Sequence, residues 1–118
     1  MDPHRTERVS EALREELEEL IGYELSDPRI ADVYVTEVQI GPDLRHARVR
    51  LSMPPDDKKR EDALAALEHA RGFIRRELSR RLELRRLPEL HFEPDFSTST
   101  AERMEALLKR VRRGRPRE

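Results

Sequence analysis

The hydrophobic residues near the start of the chain recur at intervals of three and four, which is the spacing of an amphipathic helix. This apolar stripe comprises Val9, Leu13, Leu17, Leu20 and Ile21. The opposite side carries Glu11, Glu15, Glu18 and Glu19. The pattern predicts a first helix that ends near Gly22, with an acidic face that would repel phosphate and is therefore turned away from any nucleic acid.

Two segments that follow have the alternation of β-strands. Residues 33–40 are rich in β-branched side chains, and we expect Thr36, Val38 and Ile40 to form their buried face. Residues 45–53 alternate throughout, with His46, Arg48, Arg50 and Ser52 predicted to face solvent. Gly41-Pro42-Asp43 predicts the turn of an antiparallel hairpin. Both plausible registers of the hairpin place one of Arg48 and Arg50 opposite Glu37, so these arginines are better explained as cross-strand ion pairs than as RNA ligands.

The middle of the chain, from Asp62 to Leu84, predicts one long helix with a break. Its apolar stripe comprises Ala63, Leu67, Ala70, Ile74, Leu78 and Leu82. Gly72 lies within this region, and a glycine inside a helix costs about 1 kcal/mol relative to alanine. Two alternatives explain the glycine at this position equally well: close packing against a neighbouring element, called a packing notch here, or the close approach of a phosphate. Phe73 is expected to be a core aromatic, with an exposed stacking group as the alternative.

The last part of the chain predicts a short strand and a final helix. Leu90, Phe92 and Phe96 alternate with polar residues, and Pro94 ends the strand or confines it to a sheet edge. Ser99-Thr100-Ala101-Glu102 fits a capping box, and the amphipathic helix after it contains Met104, Leu107, Leu108 and Val111. A basic tail from Lys109 to Arg117 is predicted to be flexible. The order α-β-β-α-kink-α-β plus a short helix predicts an α+β fold, with helices burying every apolar stripe against one face of a three-stranded sheet.

Charge divides the chain into two parts, although the net charge is only −1. Residues 1–70 hold 10 basic and 17 acidic residues, whereas residues 71–118 hold 14 basic and 8 acidic residues. Such asymmetry can place a basic surface on one side of a nearly neutral protein. The candidate nucleic-acid-binding residues are the arginines that follow the break: Arg71, Arg75, Arg76, Arg80, Arg81, Arg85 and Arg86.

Several classes of chemistry find no support in the sequence. The chain has no cysteine, no HExxH motif and no glycine-rich phosphate loop, and its four histidines lie in different predicted elements. We therefore predict no catalytic residue, no metal site and no cofactor. No apolar run has the length of a membrane span, and the N-terminus has no apolar signal core, so a soluble cytoplasmic protein is expected.

Several motifs together resemble the bacterial ribosome-binding factor A family. The resemblance covers residues 5–108 and is carried by Leu25-Ser26-Asp27-Pro28-Arg29, Val35-Thr36-Glu37-Val38, Asp43-Leu44-Arg45-His46-Ala47-Arg48-Val49, Ala70-Arg71-Gly72-Phe73-Ile74-Arg75, Leu84-Arg85-Arg86-Leu87-Pro88-Glu89-Leu90-His91-Phe92 and Asp95-Phe96-Ser97. It implies a type II KH-like domain, placed at residues 1–97, in which the kink Ala70-Arg71-Gly72 replaces the GxxG loop of ordinary KH domains. Residues 98–118 would form the C-terminal helix and tail.

The same resemblance implies a non-enzymatic function. A member of this family would bind the free, immature small (30S) ribosomal subunit, assist late maturation of 16S rRNA and contribute to cold adaptation. The expected protein is a monomer that binds neither DNA nor membrane. The alternative is a protein-interaction adaptor in which the acidic first helix and the terminal helix bind a basic protein, and contact with RNA is incidental.

Overall fold

The computed structural model describes the backbone of residues 3–113 and the side chains from Arg5 onward. Four α-helices and three strands follow in the predicted order: α1 (Pro3–Glu19), β1 (Tyr34–Ile40), β2 (His46–Ser52), α2 (Asp57–His69), α3 (Arg71–Arg81), β3 (Glu89–Pro94) and α4 (Thr100–Arg112). The predicted α+β class is confirmed. Within the described residues, no helix is both long enough and apolar enough to cross a membrane.

The sheet is mixed and has the order β1-β2-β3. β1 and β2 form the predicted antiparallel hairpin, with Val38 opposite Val49, and β3 pairs with β2 in parallel. The prediction that Thr36 belongs to the buried face is wrong, because a bulge between Val35 and Glu37 shifts the alternation. Val35 and Val38 are buried, whereas Thr36 is only partly buried.

The core lies between the sheet and the apolar stripes of the first three helices. Leu13 and Leu17 of α1, Leu67 of α2 and Ile74 and Leu78 of α3 are all fully buried. Burying a side chain of this kind contributes about 1.5–3 kcal/mol relative to exposing it. These stripes were predicted from periodicity alone.

The predicted break in the long helix is confirmed. Ala70 is the C-cap of α2 and the N-cap of α3, with φ −86° and ψ −1°. α3 ends at Arg81, one turn earlier than predicted, because Leu82 adopts an extended conformation. Arg85 and Arg86 therefore lie in the segment that connects α3 to β3.

The final helix begins at the predicted capping box: Glu102 N–H donates to Ser99 Oγ over 3.1 Å, and Ser99 N–H donates to Glu102 Oε1. The expectation that its apolar stripe is buried is wrong, since Met104, Leu108 and Val111 are 60%, 43% and 54% exposed. Residues 109–112, predicted to start a flexible tail, belong to α4. Residues 114–118 of that tail lie outside the described residues.

Arginines attach α4 to the rest of the molecule. Arg103 donates to Ser52 Oγ over 2.6 Å, so the prediction that Ser52 faces solvent is wrong. Arg110 is buried and donates to Glu18 Oε2 over 3.1 Å. Gly22 makes room for this guanidinium, because a Cβ on Gly22 would lie 3.0 Å from Arg110 Nε. Gly22 lies in a π-helical turn, Leu20–Glu24, that continues α1.

Candidate nucleic-acid interface

The N-terminus of α3 differs from those of the two neighbouring helices. The Asp56 side chain caps α2 and the Ser99 side chain caps α4, whereas no described side chain caps α3. A helix N-terminus carries partial positive charge from its first backbone N–H groups and favours an anion. Among the side chains of residues 5–113, none caps the helix start at the kink.

Gly72, in the first turn of α3, is exposed to solvent. A Cβ added at Gly72 would meet only Arg76 Nη1, at 3.4 Å, which is an ordinary van der Waals distance to a flexible side chain. The alternative of a packing notch is therefore wrong. Phe73 is 39% exposed and not the expected core aromatic. Both residues leave the surface of the kink accessible.

A cleft of about 780 Å³ lies between the start of α3 and the strands β2 and β3. Four arginines and two histidines contribute to its walls: Arg45, Arg71, Arg75, Arg86, His46 and His91. The acidic residues that line it are Glu68 and Glu89. We call this feature the kink cleft. Its cationic excess makes it suitable for binding a polyanion.

Arg71 is held in place at the wall of the kink cleft. Its Nε and Nη2 donate to the carboxylate of Glu68 over 2.9 and 2.7 Å, and its Nη1 donates to the carbonyl of Leu90 over 2.6 Å. The guanidinium also lies 5.0 Å from the centre of the Phe92 ring, a cation–π distance. These bonds lower the pKa of Glu68 and raise that of Arg71. Arg71 thus joins the kink to β3 and fixes one wall of the cleft.

Arg81 is also engaged within the fold. It donates to Glu24 and Glu77, with the shortest contacts at 2.5 and 3.1 Å, and lies 3.4 Å from Glu16. Hydrogen bonding to Glu24 is the main cause of the raised pKa of Arg81. These contacts join α3 to α1 and to the π-helical turn. Arg80 donates to Glu77 over 2.7 Å but remains 72% exposed.

The other predicted arginines keep their charge available to a ligand. Arg76, Arg85 and Arg86 are exposed, and none has a side-chain partner among the described residues. Arg75 makes one long hydrogen bond, 3.4 Å, to the carbonyl of Pro88. Arg45, which the sequence did not single out, is exposed at the end of the hairpin turn and is likewise without a side-chain partner there.

Arg48 and Arg50 form ion pairs as predicted, but not with residues of the hairpin. Arg48 donates to Glu93 over 2.9 Å, and Arg50 lies 3.6 Å from Asp95. Both partners belong to β3 or the residue after it. Hydrogen bonds from Arg48 lower the pKa of Glu93. Arg50 lies opposite Glu37, as one of the expected registers had it, but both arginines form their ion pairs with acidic residues at β3 and not with Glu37.

Sequence reasoning missed the contribution of β2 and β3 to the cleft. Arg45 and His46 lie at the start of β2, and Glu89 and His91 lie at the start of β3. They meet because the two strands are parallel and His46 is aligned with Glu89. The alternation of both segments indicated solvent-facing histidines, but nothing in the local pattern indicated that the strands pair.

A family model described as ribosome-binding factor A matches residues 5–108. Ribosome-binding factor A of Solibacter usitatus is 52% identical over 118 residues, which cover all of this chain and 96% of that protein. The protein of the same name from Thermomicrobium roseum is 43% identical over 118 residues, all of this chain and 92% of that protein.

Solved structures agree with this relationship. The crystal structure of ribosome-binding factor A from Thermus thermophilus superposes with a TM-score of 0.69 at 30% identity, covering 80% of this chain and 99% of that one. A solution structure from Thermotoga maritima gives a TM-score of 0.69 at 27% identity, covering 85% and 96%. The family model, the sequence relatives and the fold lead to one conclusion: this chain belongs to the ribosome-binding factor A family.

Proposed function

We propose that this protein is a ribosome assembly factor that binds the free, immature 30S subunit and assists late maturation and processing of 16S rRNA without catalysing a reaction. Its relatives are named for ribosome binding. The observation that carries the proposal is the uncapped start of α3 at Gly72, next to arginines that have no partner in the described part of the chain. We further propose that it acts as a monomer in the cytoplasm and contributes to cold adaptation.

The proposed mechanism is stoichiometric binding of RNA. A phosphate approaches the first turn of α3 over Gly72, where the backbone is not covered by a side chain. Arg76 contacts that phosphate or the next one, and Arg75 and Arg86 bind the strand along the kink cleft. The protein would thereby hold one conformation of the rRNA while other parts fold. It would dissociate when the mature surface no longer fits.

Within this proposal we assign the seven predicted arginines to two roles, according to the contacts that each one makes. Arg71 and Arg81 shape the surface, because their guanidinium groups are occupied by Glu68 and by Glu24 and Glu77. The members that we assign to RNA contact have exposed or weakly bonded guanidinium groups; they are Arg75, Arg76, Arg80, Arg85 and Arg86, with Arg45 added.

Salt dependence of binding to purified immature small subunits tests this function. Contact with several phosphates releases counterions, so affinity should fall on the order of a thousandfold between 50 and 200 mM salt. Replacing Arg76 and Arg86 by glutamine should lower the affinity and flatten this dependence. Replacing Lys59 and Lys109, exposed cations elsewhere on the protein, gives the matched control. A weak salt dependence that is unchanged by the arginine substitutions would contradict the proposal.

The adaptor alternative finds less support in the structure. Of the acidic side chains of α1, Glu11 pairs with Arg14, Glu18 with Arg110 and Glu19 with Arg113. Much of the acidic face is therefore neutralised within the protein. Nuclease treatment separates the two functions, since an association through RNA would be lost when the RNA is digested and an adaptor complex would persist.

A further inference from the structure

Two histidines and one glutamate meet on the exposed surface where β2 and β3 begin. His46 Nδ1 lies 2.9 Å from His91 Nε2, and Glu89 Oε1 lies 3.6 Å from the first nitrogen and 3.4 Å from the second. Among the described residues, this is the one group of three or more histidine and acidic side chains whose ligand atoms lie within 4.8 Å of one another.

We propose that His46, Glu89 and His91 form a binding site for a late first-row divalent metal ion, such as Zn²⁺ or Ni²⁺. This inference does not depend on the proposed function, because metal binding is a property of the protein alone. It also revises the prediction from sequence, in which the histidines lay in separate elements and no metal site was expected.

The separations of the three ligand atoms match one face of a coordination polyhedron. Zinc binds histidine nitrogen and carboxylate oxygen at about 2.0–2.2 Å. Simple trigonometry then places neighbouring ligands roughly 3.0 Å apart in octahedral geometry and roughly 3.4 Å apart in tetrahedral geometry. The observed triangle of 2.9, 3.4 and 3.6 Å covers this range. A metal ion would fit at its centre with only small side-chain movements.

The donor atoms determine which metal ions the site prefers. Two imidazole nitrogens and one carboxylate oxygen suit zinc, copper, nickel and cobalt, whereas magnesium and calcium prefer oxygen ligands alone. Each neutral imidazole has one ring nitrogen with a free lone pair, so one tautomer of each histidine presents that lone pair at His46 Nδ1 or His91 Nε2. Without a metal, one ring nitrogen donates its proton to the other, which accounts for their 2.9 Å approach.

The pairing of the strands fixes this arrangement. Glu89 and His91 are two residues apart on β3 and therefore lie on the same face of the sheet. His46 is the register partner of Glu89 on β2. All three side chains are 44–59% exposed, so water can occupy the remaining coordination positions.

The charge around the cluster limits its affinity without preventing binding. Arg45, Arg71, Arg75 and Arg86 line the same cleft and repel a cation. The charge of Arg71 is offset by Glu68, and that of the nearby Arg48 by Glu93. Glu89 supplies a negative charge directly at the site. We therefore expect one weak-to-moderate site that discriminates strongly against Mg²⁺.

The test is a calorimetric titration of the full-length, tag-free protein with Zn²⁺ in the presence of excess Mg²⁺. We expect one equivalent of Zn²⁺ to bind. His46→Ala and His91→Ala should each lower the affinity for Zn²⁺ at least about tenfold, because replacing even a residue that only supports a metal ligand typically has an effect of that size. His69→Ala is the matched control, since His69 is exposed on α2 and lies outside the cluster.

A second measurement identifies the ligand atoms. Imidazole nitrogen NMR shifts should change on Zn²⁺ addition at His46 Nδ1 and His91 Nε2 and stay constant at His69. The absence of stoichiometric binding, equal binding by the His46→Ala/His91→Ala double variant, or shifts confined to the other histidines would each overturn the proposal. Circular dichroism establishes that the variants are folded, and Glu89→Gln provides a further variant with an intact hydrogen-bonding side chain.

Discussion

Gly72→Ala should make the protein more stable and its binding to the small subunit weaker. Apart from its chain neighbours and the backbone of its own helix, the nearest described atom to the added Cβ would be Arg76 Nη1 at 3.4 Å, so the folded state accommodates it. Alanine is favoured over glycine in a helix by up to about 1 kcal/mol. For a domain of this size, such a gain raises the Tm by roughly 3–5 °C.

The same methyl group would stand where the proposed phosphate approaches the first turn of α3. If RNA lies in van der Waals contact with Gly72, the methyl group must displace it or force a rearrangement. We expect the affinity for immature small subunits to fall about tenfold, which corresponds to about 1.4 kcal/mol. Thermal unfolding gives the stability, and a titration of labelled protein with purified subunits gives the affinity.

Ser79→Ala is the matched control for this experiment. Ser79 is exposed on α3, two turns from the kink, and its replacement also raises helix propensity without adding a Cβ at the cleft. It should leave subunit binding unchanged. If Gly72→Ala binds as tightly as the wild type, close approach at the kink is refuted. If Gly72→Ala is markedly less stable, the packing around Gly72 is tighter than the 3.4 Å distance indicates.

Three further predictions concern stability, and urea unfolding tests each. Arg81→Ala should lower the free energy of unfolding by about 1–2 kcal/mol, because it removes the link between α3 and α1, and the folded fraction should still bind the subunit. Loss of binding without loss of stability would contradict the structural role of Arg81. Arg110→Leu should lower the free energy of unfolding by about 3 kcal/mol, because it leaves Glu18 without its buried partner and removes a contact between α4 and α1. An unchanged midpoint of urea unfolding would contradict this. The pKa of Asp95 is lowered to about 2, chiefly by hydrogen bonds from Ser97. Since the carboxyl titrates near 3.9 when unfolded, it contributes up to about 2.6 kcal/mol to the free energy of unfolding above that pH, and this contribution disappears as the pH falls from about 4 to 2. Asp95→Asn should remove that part of the pH dependence, and a variant that retains it would place the titrating group elsewhere.

Features set by local sequence were predictable. The apolar stripes of α1, α2 and α3 follow from helical periodicity, and the capping box at Ser99 follows from a four-residue motif. The break near Gly72 was predicted because the stripe continues through a residue that disfavours helix. The resemblance to the family located the same kink. In the structure the kink is the start of α3, which no described side chain caps and where Gly72 is exposed.

Features set by long-range contacts were not predictable. The apolar stripe of α4 suggested docking through Leu108 and Val111, yet α4 is attached by arginines such as Arg110, whose partner Glu18 lies 92 positions earlier in the chain. A guanidinium group that finds several acceptors can replace apolar packing, and periodicity does not reveal those acceptors. His46 and His91 likewise meet only because β2 and β3 are paired.

Sedimentation of cell lysate through a sucrose gradient tests the central claim most directly. It compares the wild type with Arg76→Glu/Arg86→Glu and with Lys59→Glu/Lys109→Glu, a control that changes the net charge by the same amount. We predict that the wild type and the lysine variant migrate with free small subunits, whereas the arginine variant remains at the top of the gradient although it is folded. If all three proteins remain at the top, subunit binding itself is contradicted. If all three migrate with the subunit, the kink cleft is not the contact.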